Sequence, residues 1–226
     1  MGIPEQRIIR ALEGKLDRLK TFYDSLLVKY RNVDLRAVTI ASAGNTLRSH
    51  LFFISMAEFT ITRPTWWQEA YGKPSPSLGD QEALGNLDKL GKLSFFVFFL
   101  SSIEWTMRKF IARLWPGRCD GGRAEFKSCY DFLLKELGLL QYQPLYDLCR
   151  LVRNTIHTGG IFQPRSGQNA TLVWKGSSYS FTDGKPIDFM THDLVLELYD
   201  DLIQSVQDLL SRSVISSPAL IEDKMT

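Results

Sequence analysis

The sequence lacks most of the signals that assign a function directly. It has only three cysteines, Cys119, Cys129 and Cys149, and no CxxC spacing, so it fits neither a disulfide framework nor a zinc-binding pattern. No HExxH, Walker A, GxGxxG or GxSxG sequence occurs, so the usual signatures of metalloproteases, nucleotide hydrolases, Rossmann dehydrogenases and serine hydrolases are missing. We therefore predict no cofactor and no metal ion.

The sequence also has little net charge and no long hydrophobic run. The formal net charge of +2 argues against non-specific coating of nucleic acid, although a local basic patch remains possible. The stretch most similar to a membrane segment, residues 93–103, is far shorter than the roughly 20 apolar residues of a spanning helix. Charges run through residues 1–20, unlike a signal peptide. We expect a cytoplasmic protein without a membrane partner, and residues 93–103 in its core.

What is present is the composition and periodicity of a helical globular protein. Hydrophobic residues make up 44% and charged residues 23%. Apolar residues at helical spacing predict helices over residues 3–31, 35–60, 80–115, 123–138, 144–158 and 191–213. Alternation around Gly176-Ser177 predicts a small hairpin. The expected fold is all-α, a bundle of about six helices with a small β-hairpin inserted before the last helix.

The connecting segments complete a single predicted domain over residues 1–226. Residues 61–79 contain three prolines, two glycines and Trp66-Trp67, which predicts a long loop fastened by its aromatic residues. Residues 161–188 are expected to form the hairpin insert, and residues 214–226 a loose tail.

The stretch CRLVRNTIHTGG, residues 149–160, places polar side chains on one face of the predicted helix 144–158. At about 100° per residue, the apolar face carries Leu145, Leu148, Val152 and Ile156. The opposite face carries Arg150, Arg153, Asn154 and His157. One interpretation is a solvated last turn, because the helix dipole favours cations near a C-terminus. The dipole does not explain the asparagine, a poor helix former, and the alternative interpretation is a catalytic face.

The residue types on this face suit metal-independent cleavage of RNA. That reaction needs a base for the 2′-OH proton, an acid for the leaving 5′-oxygen and donors for the charge on the phosphate. Histidine titrates near neutral pH, arginine presents a planar fork to phosphate, and asparagine can orient either group. One histidine does not easily serve as both acid and base, but two copies meeting across a symmetric dimer could share the roles.

An Arg-Asn pair shortly before a His, at the end of a helix, resembles the HEPN superfamily (higher eukaryote and prokaryote nucleotide-binding). Its motif is an Arg, often followed by Asn, and then a His after four to six intervening residues. Here three residues separate Arg153 from His157 and six separate Arg150 from His157, so either arginine is a candidate for the phosphate-binding role.

The resemblance implies an all-helical metal-independent endoribonuclease that acts on RNA as a homodimer. Many members of the superfamily belong to toxin–antitoxin, abortive-infection and CRISPR systems, so a toxin or phage-defence role and an antitoxin or other regulatory partner are also implied. Some members are non-catalytic. The alternative is therefore an inactive HEPN-like module that binds RNA, a nucleotide or a protein partner through the same face.

A second pattern lies in SSIEWTMRKF, where Glu104 precedes Arg108 by four positions. Several HEPN families carry a Glu and a basic residue at this spacing on an earlier helix, which implies a supporting role. The alternative is an ordinary intrahelical ion pair. Lys109 and Arg113 continue a basic run that would contact an RNA backbone if it lay near the motif, although a solvated helix face also explains such a run.

Overall fold

The computed structural model describes residues 6–61 and 63–221, which fold into nine α-helices, a π-helical turn (Ala57–Ile61), a 3-10 turn (Leu140–Tyr142) and one β-hairpin. The helices are α1 (Gln6–Lys29), α2 (Leu35–Met56), α3 (Pro64–Tyr71), α4 (Leu78–Leu114), α5 (Cys119–Gly122), α6 (Phe126–Glu136), α7 (Gln143–His157), α8 (His192–Ser211) and α9 (Ser213–Ser216). The antiparallel strands are β1 (Ala170–Trp174) and β2 (Ser177–Phe181). The predicted all-α class is confirmed, and the six predicted helices correspond to α1, α2, α4, α6, α7 and α8.

Helix α4 is the central element of the bundle. Ser77 and Asp80 begin it with a reciprocal capping box, and it then packs against α2, α5, α6, α7 and α8. Its middle supplies much of the core through Phe95, Phe96 and Phe99. The prediction that residues 93–103 are deeply buried is wrong for Phe98, which is 69% exposed beside a groove between α2 and α4. No helix among the described residues is long and apolar enough to cross a membrane.

The predicted loop over residues 61–79 contains helix α3, so this prediction is wrong for Pro64–Tyr71. Pro64 stands at the first helical position, where its missing N–H costs nothing, and Gly72 ends the helix in the left-handed conformation. The Trp67 ring is buried, and its Nε1 donates to the carbonyl of Ile61 at 2.8 Å. A helix this short is fixed by such tertiary contacts rather than by periodicity.

The predicted loose tail is ordered as far as Ile221, and residues 222–226 lie outside the described part of the chain. Ile215 and Ile221 are buried, and the Ile221 carbonyl accepts a hydrogen bond from the Leu35 backbone at 2.7 Å. Arg36 donates to the Ile215 carbonyl at 2.9 Å and pairs with Asp34, both side chains being fully buried. The tail prediction fails because these partners lie far away in sequence.

The hairpin lies where the alternation predicts it, but its turn is one residue earlier. Trp174 pairs with Ser177, which leaves Lys175 and Gly176 as the two turn residues, with φ of 48° and 77°. Two left-handed residues are what a two-residue hairpin turn requires. Strand β1 packs against α7, so the insert covers the helix that carries the motif.

Candidate functional site

Helix α7 presents the predicted polar face because its opposite side is buried. Pro144 lies in its first turn, and Leu145, Leu148 and Val152 are buried in the bundle. The helix ends at His157, and Gly159 and Gly160, with φ of 72° and 86°, reverse the chain. Arg150, Arg153, Asn154 and His157 therefore lie on the side of α7 opposite the buried face.

Glu104 on α4 joins the two sequence motifs. Its Oε1 accepts hydrogen bonds from Nε and Nη2 of Arg108 at 2.9 and 2.7 Å, as the four-residue spacing predicts. Its Oε2 lies 2.7 Å from Nη1 of Arg153 on α7. This second contact is an ion pair without hydrogen-bond alignment, because Glu104 Oε2 and Arg153 Nε have no hydrogen-bond partner among the described residues. Arg108 is thus held by a fork, whereas Arg153 is held mainly by charge.

Arg150 belongs to a separate polar network. Its Nε donates to the hydroxyl of Tyr130 at 3.2 Å, and that hydroxyl donates to Oδ1 of Asp147 at 2.6 Å. Burial, followed by the hydrogen bond to Asp147, raises the pKa of Tyr130 above its usual range, so the phenol stays protonated. The Arg150 guanidinium also lies 3.8 Å from Asp147. Arg150 is therefore anchored away from Glu104.

The six residues of the two predicted motifs line one cavity of about 770 Å³: Glu104, Arg108, Arg150, Arg153, Asn154 and His157. The other polar residues of its lining, which the sequence prediction missed, are Glu125, Lys127, Thr155, Thr158, Gln163, Arg165 and Ser166. The whole lining holds five Lys or Arg side chains and two Glu side chains, so the cavity is electropositive before His157 is counted. An electropositive cavity of this size suits part of a polyanionic ligand.

Asn154 and His157 are the exposed members of the α7 face. Within the described residues, no side-chain hydrogen bond or ion pair engages the His157 imidazole or the Asn154 amide, unlike the arginines beside them. Both side chains can therefore meet a ligand without first breaking an internal contact.

The chain after the two glycines forms a second wall of the cavity. Phe162 is buried, its backbone N–H donates to the Lys185 carbonyl at 2.9 Å, and its ring lies 5.3 Å from that of Phe181. Gln163, Pro164 and Arg165 follow and line the cavity. The Gly159-Gly160 reversal was the only sequence signal for this wall, since it returns the chain over the helix end.

Gly122 fixes the side of the cavity formed by Arg108. The Arg108 Nη1 donates to the Gly122 carbonyl at 2.6 Å and to the carbonyl of Ala124. Gly122 has a φ of +84°, and a Cβ added there would lie 2.4 Å from the backbone oxygen of Arg108. Only glycine allows this close approach between α4 and α5.

Lys109 and Arg113, the predicted RNA-binding residues, do not line the cavity. Lys109 lies over the Trp105 ring at 5.4 Å, and Arg113 is exposed in the last turn of α4. They share a face of α4 that is rotated from Arg108. Any contact they make with RNA would lie beside the cavity.

The two other histidines occupy structural positions. His50 is 5% exposed and stacks on Phe95 with ring centroids 4.1 Å apart, and burial lowers its pKa to about 4. His192 begins α8, with Nε2 2.7 Å from Asp88 on α4. Neither residue lines the cavity.

Comparison with known proteins identifies no relative that could indicate the role of this cavity. No protein-family model, no curated protein and no solved structure matches the chain.

Proposed function

We propose that the protein is a metal-independent endoribonuclease of the HEPN type, with its active site in the cavity between α4 and α7. The observation that carries the proposal is the lining of that cavity. An unengaged histidine, an unengaged asparagine and four further cationic side chains share one space with the Glu104–Arg153 pair. These are the group types that phosphoryl transfer from RNA needs without a metal.

The role of each residue follows from its contacts. His157 is proposed to transfer a proton, because it is exposed in the cavity and histidine is the side chain that most often transfers protons in catalysis. Arg153 is proposed to bind the scissile phosphate, because it lines the cavity and Glu104 holds its guanidinium there by charge. Asn154 is proposed to orient the phosphate or the imidazole, and Arg108 to hold Glu104 and the α5 turn.

The proposed reaction needs a second proton-transfer group besides His157, and a dimer is one source of that group. A homodimer that brings two α7 helices together around a two-fold axis would supply the partner's imidazole. A toxin or phage-defence role in the cytoplasm, restrained by an antitoxin or another regulatory protein, extends the proposal on the family resemblance alone.

A catalytically silent module is the second candidate. Both arginines of α7 are already engaged by carboxylates, Arg153 by Glu104 and Arg150 by Asp147. A cavity whose arginines are engaged in this way is suited to holding RNA or a nucleotide without reacting. The two candidates differ in turnover rather than in binding.

The test is cleavage of total RNA by the purified protein with EDTA present. We expect cleavage, and we expect His157→Ala to lower its rate by about 10²-fold or more. Because His157 is exposed, the substitution should change the free energy of unfolding by less than about 0.5 kcal/mol. His192→Ala is the matched control, since it removes a histidine outside the cavity and should leave cleavage intact.

Each other outcome selects a different conclusion. Cleavage that EDTA abolishes would indicate a metal site and contradict the proposed mechanism. RNA binding without cleavage under any condition would establish the silent module. Wild-type cleavage by folded His157→Ala protein would show that α7 ends in a charged turn without a catalytic role.

A further inference from the structure

The cavity contains two carboxylates in very different states. Glu104 is neutralised by Arg108 and Arg153 at distances of 2.7 Å, and it is 9% exposed. Its Oε1 accepts both hydrogen bonds from Arg108, and its Oε2 is buried against Arg153, so neither oxygen is open to a ligand in the cavity. Glu104 therefore positions arginines and leaves the base role open.

Glu125 is the other carboxylate, and it is not engaged. It is exposed in the cavity at the residue that precedes α6, yet its side chain makes no capping hydrogen bond to that helix. No hydrogen bond or ion pair to its carboxylate occurs within residues 6–61 and 63–221. The carbonyl of the preceding residue, Ala124, accepts a hydrogen bond from Arg108, which anchors the backbone next to Glu125 at the wall of the cavity.

The remaining cavity side chains do not compete for this role. Lys127 lies 2.8 Å from Asp131 and 3.5 Å from Asp147, and Arg150 is bonded to Tyr130. Gln163 and Ser166 do not act as bases at neutral pH. Glu125 and His157 are thus the two cavity side chains that can both exchange a proton and meet a ligand directly.

We propose that Glu125 is the catalytic base and His157 the catalytic acid of one active site within a single protomer, acting on RNA. This inference rests on the proposed ribonuclease function. The Glu125 carboxylate takes the 2′-OH proton as the O2′–P bond forms. The His157 imidazolium gives its proton to O5′ as the P–O5′ bond breaks, and the products are a 2′,3′-cyclic phosphate and a 5′-hydroxyl end. Exchange with water then returns both side chains to their starting protonation.

The assignment removes the need for a second histidine. The sequence contains one histidine on the α7 face, which is why a dimer was expected to supply the other proton-transfer group. With Glu125 in the same cavity, both groups come from one chain, and dimerisation is not required for the reaction. A substrate without a 2′-OH must be inert, because Glu125 would have no proton to remove.

The test compares Glu125→Gln with Glu136→Gln, which alters an exposed glutamate at the other end of α6. The substrate is a mixed-sequence single-stranded RNA oligonucleotide, and a DNA oligonucleotide of the same sequence is the negative control. We expect Glu125→Gln to lower kcat/KM by about 10²-fold or more and Glu136→Gln to leave it unchanged. Glu125→Gln should also remove the acidic limb of the pH profile of kcat/KM while RNA affinity stays within a few-fold of wild type. An equal loss of RNA affinity, or an intact acidic limb, would overturn the base assignment.

A mixing experiment tests the single-protomer site. Equimolar Glu125→Gln and His157→Ala proteins, each inactive alone, should remain inactive together, because neither chain has a complete pair. Restored cleavage would mean that a site takes the two groups from different chains, and it would overturn the single-protomer assignment.

The two proposals fail in distinguishable ways. If wild-type protein does not cleave RNA, the ribonuclease proposal fails and the assignment of Glu125 fails with it. If wild-type cleaves, His157→Ala does not and Glu125→Gln cleaves normally, only the Glu125 assignment is overturned.

Discussion

Glu104 divides its two carboxylate oxygens between two helices. The sequence predicted the half of this arrangement that lies on α4, because residues four apart on a helix are neighbours. It could not predict the half that reaches Arg153, since no periodicity gives the distance between side chains on different helices. Glu125 was missed for the same reason: it precedes α6, far in sequence from the motif on α7.

The arginines at positions 150 and 153 differ in how much binding capacity remains. Arg153 lines the cavity and is held by Glu104 mainly through charge, whereas Arg150 commits its Nε to a hydrogen bond with Tyr130. We expect Arg153→Ala to lower kcat/KM for RNA more than Arg150→Ala does, and Asn154→Ala to have the smallest effect. Arg123→Ala, which removes an exposed arginine outside the cavity, is the control. A larger loss from Arg150→Ala would make Arg150 the phosphate-binding arginine and would match the six-residue spacing of the family motif.

At the scale of elements, helical periodicity predicted the long helices and failed for the short ones. The apolar stripes of α1, α7 and α8 are long enough to identify a buried face. Helices α3 and α9 are too short for such a pattern. Helix α3 depends instead on the buried Trp67 ring and its hydrogen bond to Ile61, and α9 on the hydrogen bond from Arg36 to Ile215. The hairpin strands were predicted correctly, but the turn was placed one residue late. Alternation over five residues identifies a strand without fixing which residue pairs first across the turn.

The buried Asp34–Arg36 pair joins the start of α2 to the C-terminal segment. Arg36→Ala would leave the Asp34 carboxylate buried without its partner and the Ile215 carbonyl without its donor. We expect a loss of about 3–5 kcal/mol in the free energy of unfolding, measured by urea denaturation. Arg18→Ala, which breaks an exposed ion pair with Asp200, should cost at most about 1 kcal/mol. Equal losses of unfolding free energy from the two substitutions would show that the Asp34–Arg36 pair does not hold the C-terminal segment in place.

At the scale of the whole molecule, the buried neutral His50 makes folding depend on pH. Burial lowers its pKa from 6.5 to about 4, and the charge of His192 acts in the same direction, while Asp88 opposes both. In the unfolded chain His50 therefore binds a proton below about pH 6.5, whereas in the folded chain it binds one only below about pH 4. Stability from this source is complete above pH 6.5 and is lost as the pH falls through that window.

We expect wild-type protein to lose about 2 kcal/mol of unfolding free energy between pH 7 and pH 5 from this residue. His50→Gln should show a correspondingly smaller loss over the same range, because glutamine does not titrate. Urea denaturation of both proteins at the two pH values measures the difference. Parallel losses in the two proteins would show that other groups control the acid response.

The close contact at Gly122 predicts which residues related sequences would conserve for structural reasons and which they would conserve for activity. The residue must stay glycine wherever α4 and α5 meet this closely, because a Cβ would strike the Arg108 backbone. Glu104 and Arg108 belong with it, since they hold the same junction. A relative without the proposed ribonuclease activity should keep these three residues and vary at His157 and Glu125, whereas a relative with that activity should keep all five. Conservation of the residues that shape the cavity would thus be independent of conservation of the residues proposed to react in it.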